Sequence, residues 1–186
     1  MKQAILLHGS GGSDKDYFWF ADTKKYLEKL GYTVWWPLLP RTKQPKLEET
    51  VEFVRDNIPS TDENTLVIAH SSACPLTLSL LQRGLLKAKQ AVLVAGYYVP
   101  IGDDISSLML ERDEYDWERI KASVGSITLI NSDNDPWKCD DKQARPVAER
   151  LGANFIFAEG EGHMGSNSFN QPYKEHRLVK EVLEMQ

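Results

Sequence analysis

The stretch Leu66-Val67-Ile68-Ala69-His70-Ser71-Ser72-Ala73-Cys74-Pro75 decides the reading of this chain. Four apolar residues in a row suit a strand buried on both faces of a parallel sheet. The run stops at His70-Ser71-Ser72, and a helical pattern follows over Leu76–Leu86. A strand that enters a helix through a serine at a tight turn has the layout of a nucleophile elbow. The usual glycine flanks are replaced by Ala69 and Ala73. Taken alone, the same residues also read as a serine-rich helix N-cap.

If the turn is an elbow, the register points to Ser71. The positions two residues either side of the nucleophile must be small, because strand and helix crowd there. Ala69 and Ala73 meet that demand with one methyl each. Moving the nucleophile to Ser72 puts His70 and Cys74 at those positions, which is worse sterically. Pro75 then falls in the first helical turn, where a missing N–H costs little.

Working outward, short apolar runs recur at Gln3–Leu7, Tyr32–Trp36, Thr65–Ala69, Gln90–Val94, Ser126–Ile130 and Asn154–Phe157. Helical patterns separate them, at Tyr17–Leu30, Leu47–Ile58, Leu76–Leu86 and Asp140–Leu151. An amphipathic segment bearing Leu178, Val179, Val182 and Leu183 closes the chain. The alternation predicts a three-layer α/β/α sandwich around a mainly parallel sheet of about six strands. Pro146 inside the fourth helical pattern calls for a kink or a later start. The connection Ala95–Gly125 is long and holds the apolar patch Leu108-Met109-Leu110; it reads either as a pocket wall or lid, or as an ordinary surface helix.

Composition fits one domain over residues 1–186. The chain has 186 residues, 41% of them hydrophobic, and five tryptophans. That length buries about two-thirds of the unfolded surface. A net charge of −5 argues against a nucleic-acid partner. No apolar run approaches a membrane span, and the opening run Ala4–Leu7 is too short for a signal peptide. The two cysteines, Cys74 and Cys139, read as reduced thiols. A cytoplasmic protein with no membrane partner is expected.

In an open parallel sheet, ligands bind beyond the carboxyl ends of the strands. The residues there are His8-Gly9-Ser10-Gly11-Gly12-Ser13, then His70-Ser71-Ser72, then Asn131-Ser132-Asp133-Asn134-Asp135-Pro136, then Glu159-Gly160-Glu161-Gly162-His163. Serine, aspartate and histidine arrive in that chain order, which is the order of α/β-hydrolases. Asp135 is the candidate acid, while Asp133 suits a cap or turn former. His163, in a glycine-bounded loop before the last helix, is the candidate base. His8 and His70 sit at strand ends and read as packed or backbone-held. His176 reads as lying on the polar face of the last helix.

The turn at Gly9 fails as a dinucleotide fingerprint. Asp14 stands at the third glycine position, and no acidic residue ends the second strand at Trp35-Trp36-Pro37. No Gly-Lys-Ser/Thr follows, so it is no phosphate loop. A His-Gly turn here can supply an oxyanion-hole N–H. The candidate donors are the backbone N–H groups of Ser10 and Ser72. No His/Cys pair has zinc-ligand spacing. Neither a metal nor an organic cofactor is expected.

These motifs resemble a known family. The chain is similar to the small α/β-hydrolases of the retinoblastoma-binding protein 9 type, over nearly its whole length. The resemblance is carried by His70-Ser71-Ser72, Trp117-Glu118-Arg119-Ile120-Lys121-Ala122, Ser132-Asp133-Asn134-Asp135-Pro136 and Gly162-His163-Met164. It implies a serine hydrolase with Ser71, Asp135 and His163 as its triad and little or no cap. The alanine-flanked elbow departs from the family's glycine-flanked one. The stretch Ile58–Glu63 also lacks the L-x-C-x-E sequence of the human member, so a retinoblastoma-type partner is not expected.

The expected function is cleavage of an ester, thioester or amide of a small acyl substrate, in the manner of a carboxylesterase. The alternative is a catalytically silent hydrolase fold that binds protein. Phe18, Trp19, Tyr97, Tyr98, Leu108–Leu110 and Trp137 are the expected pocket walls.

Overall fold

The computed structural model describes residues 2–10, 18–41, 43–102, 104–166, 171 and 173–185. The six expected strands all form: β1 (Lys2–Leu7), β2 (Tyr32–Trp35), β3 (Leu66–His70), β4 (Ala88–Val94), β5 (Val124–Asn131) and β6 (Asn154–Phe157). All pair in parallel, in the order β2-β1-β3-β4-β5-β6. The connection from β1 steps one way and those after β2 step the other. The switch point is therefore the crevice between β1 and β3, where the carboxyl ends of such sheets take ligands.

Seven helices among the described residues complete three layers: α1 (Phe20–Lys29), α2 (Leu47–Asn57), α3 (Ala73–Gln82), α4 (Asp104–Ser107), α5 (Trp117–Ser123), α6 (Asp141–Leu151) and α7 (Arg177–Glu184). Right-handed crossovers send α1 to one face and the helices after β2 to the other. α7 joins α1: Tyr26 donates to Glu184 at 2.7 Å and Lys180 pairs with Asp22 at 2.6 Å. On the other face α2, α3, α5 and α6 pack in series. β3 is buried along its whole length, and α3 is buried from Ala73 to Leu81. The turn at Ser71-Ser72 thus joins two of the most enclosed elements of the fold. No helix among the described residues is long and apolar enough to cross a membrane. Both cysteines are buried.

Three expectations need correction. α3 starts at Ala73, not Leu76, because Pro75 at its third position needs no N–H partner there. α6 does not start late: it runs from Asp141 with Pro146 inside it. Asp140 caps its start by accepting from Lys142 N–H at 3.1 Å. Pro146 and Lys142, whose carbonyl loses a helical partner, both lie on the exposed face, where water serves instead. His176 is not on a polar face. It precedes α7, is 4% exposed, and sets its ring edge-on to Trp19 at 5.1 Å. The expected start of the first helix at Tyr17 lies outside the described residues, as do Gly11-Gly12-Ser13 and Asp14 of the glycine-rich turn.

Candidate active site

The turn after β3 is built on backbone geometry. Ser71 adopts a left-handed conformation, with φ 56°. For a non-glycine residue that costs roughly 1–2 kcal/mol and persists only where the surroundings enforce it. They do so here: Ser71 N–H donates to Val94 O at 2.9 Å, and Cys74 N–H donates to Ser71 O at 2.9 Å. Ser72 has ordinary right-handed angles and is buried, whereas Ser71 is partly exposed. Ala69 and Ala73 have no exposed surface. The small side chains that the register argument required are therefore enclosed on both sides of the turn.

Gly9 brings the loop after β1 against this turn. A Cβ there would stand 2.8 Å from the Ser71 Cβ, closer than two carbons approach. His8 fixes the loop's orientation. Its Nε2 accepts from Leu39 N–H at 2.9 Å, so its proton resides on Nδ1 and is donated to Gly9 O at 2.7 Å. The Gly9 carbonyl and the Ser10 N–H belong to one planar trans peptide and point in opposite directions. Holding the carbonyl therefore also sets the direction of the Ser10 N–H. The Ser72 N–H stands at the start of α3, where backbone donors have no partner within the helix. Ser10 and Ser72 line a common cleft with His8 and Gly9.

On the other flank, Asp135 and His163 come together. His163 Nδ1 and Asp135 Oδ2 are 2.7 Å apart, and both residues are buried. A carboxylate only accepts, so the imidazole donates from Nδ1 and leaves the Nε2 lone pair as a base. Trp137 N–H holds the other carboxylate oxygen at 2.7 Å. The His163 loop reaches back to the elbow: His70 Nε2 donates to His163 O at 2.9 Å, and the two rings lie 4.7 Å apart. Burial, reinforced by the neighbouring His163, holds the His70 pKa well below its ordinary value. His70 is therefore a neutral strut. It and His8 are both backbone-held, as their positions at strand ends implied.

The ties that hold the His163 loop were not foreseen. Ser132 Oγ donates to Gly162 O at 2.6 Å. Asp133 accepts from Gly160 N–H at 2.8 Å, across the two loops rather than within its own turn. Asn134 accepts from Gly162 N–H at 2.8 Å and donates to Gly160 O at 3.1 Å. Gln171 accepts from His163 N–H at 2.8 Å, and Trp19 Nε1 donates to Met164 O at 2.8 Å. The run Ser132-Asp133-Asn134-Asp135 thus grips the run Gly160–His163 residue by residue. Its polar composition was the only available signal, and composition does not name the partner loop.

Cys139 lies beside the pair. Ligand atoms of Asp135, Cys139 and His163 fall within 4.8 Å of one another. The 2.7 Å between carboxylate and imidazole is a hydrogen-bond length. Two ligands of one tetrahedral zinc stand farther apart, about 3.3 Å given metal bonds near 2.0–2.2 Å. The expected pocket walls divide. Trp19, Tyr97, Tyr98 and Met109 are buried in the core, Met109 also lining the cleft beside Ser72, while Leu108 and Trp137 are exposed.

The sequence model of the family described as "Serine hydrolase" matches residues 4–181. The chain belongs to that family. Among its serine hydrolase relatives, RBBP9 of Rattus norvegicus is 26% identical over 185 residues, which cover 97% of this chain and 95% of the relative. YdeN of Bacillus subtilis (strain 168), which carries a hydrolase name, is 31% identical over 169 residues, covering 86% and 88%. The crystal structure of the ydeN gene product superposes with a TM-score of 0.85 over 100% of this chain and 98% of that one, at 23% identity. That likeness shows the fold, an α/β-hydrolase sandwich. The resemblance read from the motifs thus holds: the chain is a small serine hydrolase of the RBBP9 type, and its chemistry is hydrolysis.

Proposed function

We propose that this serine hydrolase cleaves esters of small acyl groups through an acyl-enzyme on Ser71, with thioesters and amides as related substrates. One observation carries the reading: the 2.7 Å Asp135–His163 pair, tied through His70 to the strained turn that presents Ser71. Ser71 Oγ attacks the carbonyl carbon while His163 Nε2 takes its proton. Asp135 holds the imidazole in the required tautomer and stabilises its charged form. The N–H groups of Ser10 and Ser72 receive the oxyanion. The bond to the leaving group then breaks, and His163 protonates the departing atom. Water adds to the acyl carbon, His163 takes a proton from it, and Ser71 recovers that proton as the acid departs.

The test is turnover of a panel of p-nitrophenyl esters, thioesters and aminoacyl amides by the wild type and by Ser71→Ala and Ser72→Ala. Ester hydrolysis that vanishes in Ser71→Ala and survives in Ser72→Ala supports the proposal. A folded wild type that turns over none of the panel overturns it and favours a silent fold that binds protein.

A further inference from the structure

The bond from His163 Nδ1 to Asp135 fixes one point of the imidazole, and one point does not aim a ring. The His163 main chain supplies two further anchors. Its carbonyl accepts from His70 Nε2 at 2.9 Å, and its N–H donates to Gln171 Oε1 at 2.8 Å. The first of these comes from the elbow. The second comes from the chain between β6 and α7, outside every motif read in the sequence. Ser132, Asp133 and Asn134 also hold this loop, but their bonds end on Gly160 and Gly162. Gln171 ends on His163 itself.

The Gln171 amide is built into this place. Its Nε2 donates to Glu161 O at 2.9 Å while its Oε1 takes the His163 N–H. One side chain thus grips the two peptides on either side of Gly162. Gly162 leaves the room for it. A Cβ at this position would stand 2.1 Å from Gln171 Nε2 and 2.7 Å from its Cδ, and φ is 57°. The Gln171 main chain is held as well. It exchanges bonds with Ser166, donating to Ser166 O at 2.9 Å and accepting from Ser166 N–H at 3.0 Å. Its carbonyl also accepts from Tyr173 N–H at 2.9 Å, and Tyr173 OH bonds the Glu161 carboxylate.

We infer that Gln171 is a positioning residue for the reaction: its amide, seated where Gly162 has no side chain, fixes the His163 peptide and so aims Nε2 at Ser71 Oγ. This role presupposes that His163 is the base, as proposed above. With N–H, carbonyl and Nδ1 each anchored, the residue keeps one orientation. Without Gln171, the anchors at His70 and Asp135 leave one rotation open, about the line that joins them. Misplacing a catalytic group by about 1 Å costs about 10²-fold in rate. The same arrangement demands glycine at 162, because any side chain there displaces the amide.

The experiment measures kcat and KM for p-nitrophenyl acetate, and the rate at which a fluorophosphonate labels Ser71. Gln171→Ala should lower kcat and the labelling rate together by about 10²-fold, with KM little changed, the pattern of an interaction that serves the transition state. A folded Gln171→Ala with wild-type kcat, whatever its urea midpoint, overturns the role. Gly162→Ala should lose a similar factor, and the two losses should overlap. The double variant should stay within about tenfold of either single variant, whereas independent losses would multiply to about 10⁴ and contradict a shared seat. The wild type gives a test that needs no variant: the His163 N–H should exchange slowly with deuterium, and fast exchange there overturns the role. His163→Ala separates this role from the proposed function. If it abolishes labelling while Gln171→Ala matches the wild type, the positioning role alone is overturned. If folded His163→Ala labels and turns over like the wild type, both are overturned.

Discussion

The two flanks of the site are held by different means. On the β1–β3 flank, position comes from backbone packing: a buried strand, a buried helix, a left-handed serine and a glycine pressed against it. On the β5–β6 flank, position comes from polar side chains that reach between loops. The first arrangement tolerates almost no change of shape. The second distributes its grip over several bonds of about 1 kcal/mol each. The flanks should therefore fail differently when altered.

The largest effect is expected where the second flank touches chemistry. Asp135→Asn removes the carboxylate that fixes the His163 tautomer, and kcat should fall about 10⁴-fold with folding intact. A loss below tenfold would mean the pair is structural. On the first flank, Gly9→Ala adds a methyl where Ser71 already stands and turns the Ser10 donor away. A loss of about 10²–10³ in kcat is expected, with KM little changed, as for a missing oxyanion donor. Gly9→Ala with wild-type kcat would show that the loop has slack which the 2.8 Å approach denies.

The distributed ties should give smaller losses. Ser132→Ala alone removes one of several bonds to the His163 loop, and a kcat loss of about tenfold or less is expected. Ser132→Ala with Asn134→Ala should approach the 10²-fold associated with misplacing a catalytic group by about 1 Å. Simple additivity of the two, measured by a double-mutant cycle, would contradict a shared grip.

The smallest effect on turnover concerns His176. Burial lowers its pKa from 6.5 to about 4, so the folded state binds this proton more weakly than the unfolded chain. The stability it contributes is complete above pH 6.5 and is lost as pH falls toward 4, by roughly 3 kcal/mol. His70 acts in the same direction. His176→Phe keeps a ring against Trp19 and should flatten the fall in urea midpoint between pH 7 and pH 4.5. An unchanged fall would show that other groups account for it.

The same division explains what could be read in advance. The strands were legible because runs such as Leu66–Ala69 are apolar on both faces, which only a central parallel strand requires. The tight turn at Ser71 was legible because its neighbours at two residues' distance are small. Asp135 and His163 were placed at one edge by chain order. His176 was misread because its surroundings come from Trp19 and Tyr173, and no helical periodicity reports a partner across the fold. The grip of Ser132, Asp133 and Asn134 on Gly160–His163 was invisible for the same reason. Met109 could be named with a candidate wall, but its meeting with Ser72 in one cleft comes from contacts across the fold.

The central claim is that the strained residue of the turn, and not its neighbour, is the nucleophile. It is tested most directly by reacting the folded protein with a fluorophosphonate and locating the adduct by peptide mass spectrometry. The account predicts a single adduct on Ser71, formed in the wild type and in Ser72→Ala and absent in Ser71→Ala. An adduct on Ser72, or none on protein that melts cooperatively, would contradict it.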